Sequence, residues 1–324
     1  MYIEGKNVIV TGGAGFIGSH LVDLLLKRNA RVIILDDLSA GSMRNVDPRA
    51  VFFECDVTDI NKVQRCLEDV DVIFHLAADA STKESSMGWD TPAETLRVNV
   101  IGTANILKSV ISLRSDAKVI CASSAAVYGE PESIPIREDH PTNPISPYGI
   151  SKLAAEKLAF ASFREFGVDV TSVRIFNTYG PRQPRYVIFD LLRKLEADHR
   201  LLEVMGGPDI VRDYCYVSDL TEGLVVVAER GISGEIYNIS GRNPVTLSDL
   251  VNLILLELNL SGKTVVSYTG KSWKGDIARM VADISKVTEL GFRPKTDLRE
   301  GIRRMVEWRS CYRTEATSSR DKRV

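Results

Sequence analysis

A glycine-rich turn near the start of the chain constrains the fold more than any other feature of the sequence. The turn, TGGAGFIG at 11–18, follows an apolar run at 7–11 and leads into a segment of helical periodicity at 16–28. Gly12, Gly15 and Gly18 recur at every third position, and a tight turn of this kind uses backbone angles that other residues avoid. A strand, a glycine turn and a helix in this order are typical of the start of a doubly wound sheet.

Apolar, β-branched runs alternate with helical segments through the first half of the chain. Near-continuous apolarity indicates strands that are covered on both faces, as in a parallel sheet. The sequence predicts strands at 7–11, 31–35, 51–54, 71–75, 118–122 and 169–175, and helices at 16–28, 60–67, 91–112 and 147–166. This order predicts an α/β fold built on a doubly wound (Rossmann) parallel sheet.

The alternation fades after Gly180, where prolines and glycines divide the chain into shorter segments. We therefore predict a nucleotide-binding domain at 1–176 and a smaller C-terminal α/β substrate lobe at 177–312. A further strand at 235–239 lies in a segment, 216–240, that we expect to return to the first domain. Residues 313–324 contain almost nothing apolar, which predicts a frayed, flexible tail.

Composition excludes several classes of partner. The chain of 324 residues carries 41 basic and 43 acidic residues, a net charge of −2, so no global field favours nucleic acid or an anionic membrane. The five cysteines lack metal-ligand spacing, which predicts reduced thiols and no metal site. No apolar segment reaches the roughly 20 residues of a membrane span. Because the start also lacks a signal-peptide pattern, we expect a cytoplasmic protein.

Acidic residues at strand ends extend the case for a bound dinucleotide. Asp36 and Asp37 end the second predicted strand, and Asp36 lies 21 positions beyond Gly15. Asp36 can accept hydrogen bonds from both adenosine ribose hydroxyls and would repel a 2′-phosphate, which favours NAD over NADP. Asp56 and Val57, just past the third strand, are expected near the adenine. The alternative is a purely structural turn closed by a solvated acid.

A serine, a tyrosine and a lysine form a candidate catalytic set. Tyr148 and Lys152 stand four residues apart at the start of a predicted helix, so they share one face. Ser124 follows a predicted strand, at the sheet edge where ligands bind in this class of fold. A nearby ammonium and the positive nicotinamide would favour the Tyr148 phenolate, which could then accept a hydroxyl proton. Each residue alone is equally consistent with a structural role.

Together these motifs resemble the extended short-chain dehydrogenase/reductase family. The resemblance rests on the glycine turn, HLAA at 75–78, Asn99, SSAAVYG at 123–129, the Tyr-x-x-x-Lys pair and RDY at 212–214, in order from about residue 7 to 310. Within the family the chain is most similar to NAD-dependent nucleotide-sugar 4-epimerases of the UDP-glucose 4-epimerase type. Members pair their long helices across a two-fold axis, which implies a homodimer.

The resemblance implies a role for each matched position. Ser124, Tyr148 and Lys152 would be catalytic. The cofactor contacts would be Gly12, Gly15, Phe16, Ile17, Gly18, Asp36, Asp37, Asp56, Val57, Leu76, Ala77, Ala78, Asn99, Tyr148 and Lys152. The contacts with a nucleotide-sugar substrate would be Ser124, Asn177, Arg185, Arg212, Asp276 and Met280.

Several reactions stay open under this resemblance. Dehydratases and decarboxylases of the family place an acidic residue just after the catalytic Ser or Thr, where this chain has Ala125 and Ala126. That difference favours a 4-epimerase over a 4,6-dehydratase, a decarboxylase or a reductase. A non-catalytic NAD-binding sensor is a second alternative, although it would need no intact catalytic set. Trp273 stands where the best-known epimerases carry an arginine that helps to hold the diphosphate, so the nucleotide and the sugar stay open.

Overall fold

The structure is a computed structural model that describes residues 2–80, 89–271 and 277–321. Its strands are β1 (Asn7–Thr11), β2 (Arg31–Asp36), β3 (Val51–Glu54), β4 (Val72–His75), β5 (Lys118–Ser124), β6 (Val170–Ile175), β7 (Asn177–Tyr179), β8 (Leu201–Val204), β9 (Val211–Tyr216), β10 (Ile236–Ile239), β11 (Pro244–Thr246), β12 (Val265–Tyr268) and β13 (Arg279–Met280). Its helices are α1 (Phe16–Lys27), α2 (Ile60–Cys66), α3 (Pro92–Leu96), α4 (Gly102–Leu113), α5 (Pro147–Phe166), α6 (Val187–Ala197), α7 (Val217–Arg230), α8 (Leu247–Glu257), α9 (Ser285–Glu289) and α10 (Leu298–Asp321).

A seven-stranded parallel sheet forms the larger part of the molecule. Its strand order is β10-β6-β5-β4-β1-β2-β3, and every neighbouring pair is parallel. All four residues of β4 are buried, as are all residues of β1 except the first, because helices cover both faces of the sheet. The predicted doubly wound α/β fold is confirmed. The strand order reverses between β1 and β4, and such a switch point opens the crevice in which ligands bind.

The smaller lobe is assembled from segments that are far apart in the sequence. Strands β7, β11 and β13 all pair with β9, and β12 pairs with β8. Helices α6, α8 and α10 share one apolar core, which includes the fully buried Ile254 and Ile302. Between these segments the chain returns to the main sheet, where β10 pairs with β6 and α7 packs against α1.

Two predicted segments differ from the observed ones. The predicted helix at 91–112 is divided into α3 and α4 by a π-helical turn at Arg97–Ile101, and turns of this kind often mark functional sites. Helix α10 continues to Asp321, through most of the segment predicted as a flexible tail, and the flexibility of that segment stays a prediction. Residues 302–321 contain neither glycine nor proline to end the helix.

Two kinds of feature are absent from the described part of the chain. No described helix combines the length and the apolar composition that crossing a membrane requires. No group of three or more His, Cys, Asp or Glu side chains among residues 2–80, 89–271 and 277–321 is arranged to hold a metal ion.

Candidate active site

A cleft of about 2020 Å³ opens at the switch point of the main sheet and continues along the smaller lobe. Pockets for one small molecule usually measure about 300–1,000 Å³, so this cleft has room for two ligands side by side. Most of the predicted site residues line it: Gly12, Gly15, Phe16, Ile17, Gly18, Asp36, Asp37, Asp56, Val57, Leu76, Ala77, Ala78, Ser124, Tyr148, Lys152, Asn177, Arg185, Arg212 and Met280.

Two predicted residues need a separate account. Asn99 is 1% exposed and is not among the residues that line the cleft. Its side chain accepts a hydrogen bond from the Asp79 amide at 2.8 Å and donates to the Asp79 carbonyl at 2.9 Å. Asn99 lies on the π-helical turn, and these two bonds hold the loop after β4. Its predicted contact with the cofactor stays a prediction. Asp276 lies outside the described residues, as does Trp273.

The glycine turn is packed too closely to carry side chains. A Cβ atom added to Gly12, which has φ +70°, would lie 2.8 Å from the Ala77 nitrogen, and one added to Gly18 would lie 2.1 Å from the Gly12 carbonyl oxygen. Helix α1 then begins at Phe16, and its first turn holds no side-chain cap and no acidic residue. Its amino-terminal amides thus face the cleft without an internal anion, which suits a pyrophosphate.

Asp36 is held at the end of β2 by the backbone around it. Its carboxylate is 7% exposed and accepts hydrogen bonds from the Ala14 amide at 2.9 Å and the Leu38 amide at 2.8 Å. Burial raises the pKa of Asp36, and these two amides oppose the rise. Each carboxylate oxygen keeps a second lone pair for an incoming donor. The site therefore fits the two ribose hydroxyls of an adenosine.

The catalytic set comes together where β5 ends and α5 begins. The Ser146 hydroxyl caps α5 by accepting a hydrogen bond from the Gly149 amide at 3.1 Å. Lys152, 5% exposed, donates to the Ala122 carbonyl at 2.9 Å, and its Nζ lies 5.9 Å from the centroid of the Tyr148 ring. Ser124, the last residue of β5, is hydrogen-bonded to the Tyr148 phenol. Ser124 on β5 and the Tyr148–Lys152 pair on α5 thus form one cluster.

The electrostatics of this cluster are governed by burial and by nearby charge. Burial lowers the pKa of Lys152 to about 8, so its ammonium predominates at neutral pH and is lost as the pH rises above that value. Burial raises the pKa of Tyr148, as does Tyr186, whereas the Ser124 hydrogen bond and the Arg185 guanidinium lower it. A Tyr148 phenolate therefore depends on the cations and donors beside it.

The candidate substrate residues meet on the sheet of the smaller lobe. Asn177 on β7 pairs in register with Tyr214 on β9, and Met280 on β13 pairs with Arg212 on β9. Arg185 lies in the loop before α6, with its guanidinium 5.3 Å from the centroid of the Tyr186 ring. All four predicted residues line the cleft. Arg212 and Arg185 thus place positive charge there, which suits a diphosphate.

Several residues that line the cleft were not found by sequence reasoning. They are Asp79, Arg182, Gln183, Tyr186 and Arg309. Asp79 directly follows HLAA at 75–78, and Arg182, Gln183 and Tyr186 follow Gly180-Pro181. Their positions next to these segments could have indicated them. Arg309 comes from α10, more than a hundred residues later, and no local pattern indicates it. Lys271 and Arg279 are basic residues close in sequence to Trp273, where the best-known epimerases carry an arginine. Both are exposed and do not line the cleft.

Fold and cleft together define a dinucleotide-binding enzyme of the Rossmann type, and comparison with known proteins places it more narrowly. The model of the family described as GDP-mannose 4,6 dehydratase matches residues 9–305. A Methanocaldococcus jannaschii protein whose name proposes UDP-glucose 4-epimerase activity is 35% identical over 306 residues, covering 93% of this chain and 97% of that protein. UDP-glucuronic acid decarboxylase 6 of Arabidopsis thaliana is 36% identical over 322 residues, covering 94% and 89%.

Solved structures give the same result. A UDP-glucose 4-epimerase of Thermotoga maritima, solved with UDP-glucose, matches with a TM-score of 0.87 at 33% identity, covering 94% of this chain and 99% of that one. The dTDP-glucose 4,6-dehydratase DesIV of Streptomyces venezuelae, solved with NAD and TYD, matches with a TM-score of 0.84 at 32% identity, covering 93% and 96%. The chain therefore belongs to the GDP-mannose 4,6-dehydratase family, a group of NAD-dependent nucleotide-sugar epimerases, dehydratases and decarboxylases.

Proposed function

We propose that the protein is an NAD-dependent nucleotide-sugar 4-epimerase of the UDP-glucose/UDP-galactose type. The observation that carries the proposal is the combination of a complete Ser124, Tyr148 and Lys152 cluster with Ala125 and Ala126 beside it. Both alanines line the cleft and neither can exchange a proton. Loss of water from a sugar needs a general acid and a base near the leaving group, whereas 4-epimerisation needs only reversible oxidation at one carbon.

Each residue of the proposed site has a separate role in the reaction. When bound, NAD supplies reversible hydride acceptance at C4 of the sugar. Tyr148 accepts the proton of the C4 hydroxyl and returns it after the 4-keto sugar has turned its other face toward the cofactor. Ser124 donates a hydrogen bond to the reacting oxygen, and the Lys152 ammonium favours the phenolate of Tyr148. Asn177, Arg185 and Arg212 hold the substrate while the sugar turns.

The strongest objection comes from Asp79, whose charge reaches Tyr148 and raises its pKa. Its carboxylate follows β4 rather than β5 and accepts a hydrogen bond from the Thr95 hydroxyl at 2.7 Å. An acid engaged in this way, on the loop after β4 and not directly after Ser124, is a poor substitute for the acid that dehydratases carry after the catalytic Ser or Thr. The proposal therefore assigns Asp79 no proton-transfer role.

The test of the reaction uses purified protein and a panel of nucleotide sugars with different bases and sugars. Chromatography that resolves C4 epimers should find the same two-epimer mixture from either starting epimer. A 4-keto-6-deoxy product or a pentose would instead identify a dehydratase or a decarboxylase. Binding of NAD without any product from the whole panel would support the non-catalytic sensor.

The geometry around Asp36 predicts selectivity for NAD. Calorimetry on protein freed of copurified dinucleotide should find NAD binding tighter than NADP by at least about tenfold, because a 2′-phosphate beside a carboxylate is a costly like-charge contact. Arg44 also lines this part of the cleft and is exposed, so Arg44→Ala serves as a control that should leave NAD affinity nearly unchanged. Tighter binding of NADP would overturn the assignment.

From the side chain of Met280 we predict which sugars the enzyme accepts. Met280 is 6% exposed and lines the cleft beside Arg212. Some epimerases that are strict for unmodified hexoses have a tyrosine at the similar position. An unbranched thioether can move aside for a 2-N-acetyl group, so we expect turnover of both plain and 2-N-acetyl nucleotide sugars. Met280→Tyr should suppress the second far more than the first, and the volume-conserving Met280→Leu should spare both. Equal losses on the two substrates would remove Met280 from the specificity residues.

We also propose that the protein forms a homodimer through α4 and α5. Among the apolar residues of α5, Leu158 is exposed, whereas Leu153 and Phe163 pack against the core. Ile150 and Phe160 add exposed apolar surface on α5. Apolar side chains left at the surface of α5, a long helix that packs beside α4, suit a two-fold interface. Light scattering at micromolar concentration tests the proposal, and a monomer would contradict it.

A further inference from the structure

The imidazole of His75 has no part in the chemistry proposed above, yet it lies at the centre of the molecule. His75 is the last residue of β4, is 4% exposed and does not line the cleft. Its Nδ1 lies 2.8 Å from the Thr11 hydroxyl, and its Nε2 lies 3.0 Å from the Thr103 hydroxyl. A fully enclosed histidine with a partner on each nitrogen calls for an account of which nitrogen carries the proton.

The surrounding hydrogen bonds allow only one tautomer. The Thr103 hydroxyl donates its single hydrogen to the Asn99 carbonyl at 2.7 Å, so toward His75 it can only accept. Nε2 must therefore carry the proton, and Nδ1 must accept from the Thr11 hydroxyl. That hydroxyl in turn accepts from the Ala77 amide at 3.1 Å. The neutral ring with its proton on Nε2 satisfies every donor and acceptor in this set of hydrogen bonds, and no other form of the ring does.

The ring joins the two halves of the catalytic machinery. On one side, Thr11 leads into the glycine turn and holds the Ala77 amide, against which Gly12 packs. On the other side, Thr103 holds the π-helical turn at Asn99, whose side chain donates to the Ser151 hydroxyl at 2.8 Å. Ser151 donates to the Tyr148 carbonyl at 2.7 Å. One continuous set of hydrogen bonds thus runs from the cofactor turn to the start of α5.

Nearby charge supports the neutral form. Burial and the Lys152 ammonium lower the pKa of His75 to about 3, and the residue opposite it on β5 is the buried thiol Cys121. A protonated ring would lose its acceptor at Nδ1 and would place a second cation near Lys152. The neutral ring avoids both effects.

We propose that His75, in its neutral Nε2–H form, is a positioning residue. It holds the dinucleotide-binding turn and the catalytic helix α5 in a fixed position relative to each other. This inference uses the proposed function only in its kinetic test. His75 touches neither substrate nor cofactor in this account; it acts through Thr11 and Thr103. The two threonines offer a way to cut each half of the connection separately, because Thr→Val removes a hydroxyl and keeps the shape.

The first test is the ¹⁵N spectrum of the four histidine side chains, with His75 assigned by its loss in His75→Gln. We expect a neutral ring with its proton on Nε2 and no titration around 6.5, where an unperturbed histidine changes charge. A ring that titrates there, or that carries its proton on Nδ1, would overturn the proposal. This spectrum does not depend on which reaction the enzyme catalyses.

The second test breaks the hydrogen-bond connection through His75 on its Thr103 side and on its Thr11 side in separate variants. Thr103→Val should lower kcat by about tenfold or more, as displacement of a catalytic group does, and should leave the Kd for NAD unchanged. Thr11→Val should raise the Kd for NAD by about threefold to tenfold, the change expected for one lost hydrogen bond. The matched control is Thr171→Val: Thr171 is buried and donates to the Ile232 carbonyl at 3.2 Å, away from the cleft.

The control should lower the melting temperature as the other two variants do, without changing kcat or NAD affinity. A purely structural role for His75 predicts instead that all three variants lose stability with no split between kcat and NAD affinity. Absence of epimer products from the parent enzyme would refute the proposed function alone, because the ring tautomer and the NAD affinities would still be measurable.

Discussion

Tyr148→Phe should lower kcat by about 10²- to 10⁴-fold, the usual contribution of a positioned acid or base, while NAD still binds. The substitution removes the phenol oxygen and leaves the ring in place beside Lys152. The Tyr148 hydroxyl is the group in the cluster suited to accept the C4 proton, since the Ser124 hydrogen bond and the Arg185 guanidinium both lower its pKa. Turnover from both epimers, with NAD affinity measured by calorimetry, checks the expectation.

The matched control for this variant is Tyr237→Phe. Tyr237 is 1% exposed on β10, its hydroxyl accepts a hydrogen bond from the Ile232 amide at 3.2 Å, and it does not line the cleft. The Tyr237→Phe variant should lose some stability and keep its activity. Near-normal turnover by Tyr148→Phe would mean that the base is misassigned.

Ser124→Ala should have the second largest effect, a loss in kcat on the order of 10²-fold or more, as expected when one hydrogen bond to the reacting oxygen is removed. Ser124 also accepts a hydrogen bond from the Ala126 amide at 3.2 Å, so the variant loses one local contact as well. Ser162→Ala controls for this loss, because Ser162 is buried on the far part of α5 and donates to the Ala159 carbonyl at 2.7 Å.

A Ser124→Ala variant with nearly unchanged kcat but a raised KM would indicate that Ser124 binds substrate equally in the ground and transition states. That result would remove it from the catalytic set and leave Tyr148 and Lys152 as the only proposed catalytic residues.

The cofactor half of the cleft could be predicted from sequence because its determinants are local. Gly12, Gly15 and Gly18 occupy one turn, and Asp36 ends the next strand, so strand and helix periodicity alone bring them to one edge of the sheet. Tyr148 and Lys152 share a helix face for the same reason. The boundaries of α5 were also predictable, because Pro147 can start a helix and Gly167 can end one in the left-handed conformation.

Other parts of the site depend on information that spacing does not carry. The π-helical turn that carries Asn99 could not be predicted, because periodicity assumes a regular helix. The substrate half is built from β7, β9 and β13, whose pairing joins residues as distant as Arg212 and Met280. Only the folded chain brings these short strands together. The bond between His75 and Thr103 likewise crosses two elements and has no sequence signature.

The central claim is that the enzyme moves one hydride away from C4 and back, and reaction in D₂O tests it most directly. A single C4 epimer of the preferred nucleotide sugar is incubated with enzyme, and the products are analysed by mass spectrometry and proton NMR. We predict two epimers of unchanged mass, with the original hydrogen still on C4 and no deuterium bound to any sugar carbon. Deuterium on C5, with loss of the mass of water or of carbon dioxide, would contradict the account.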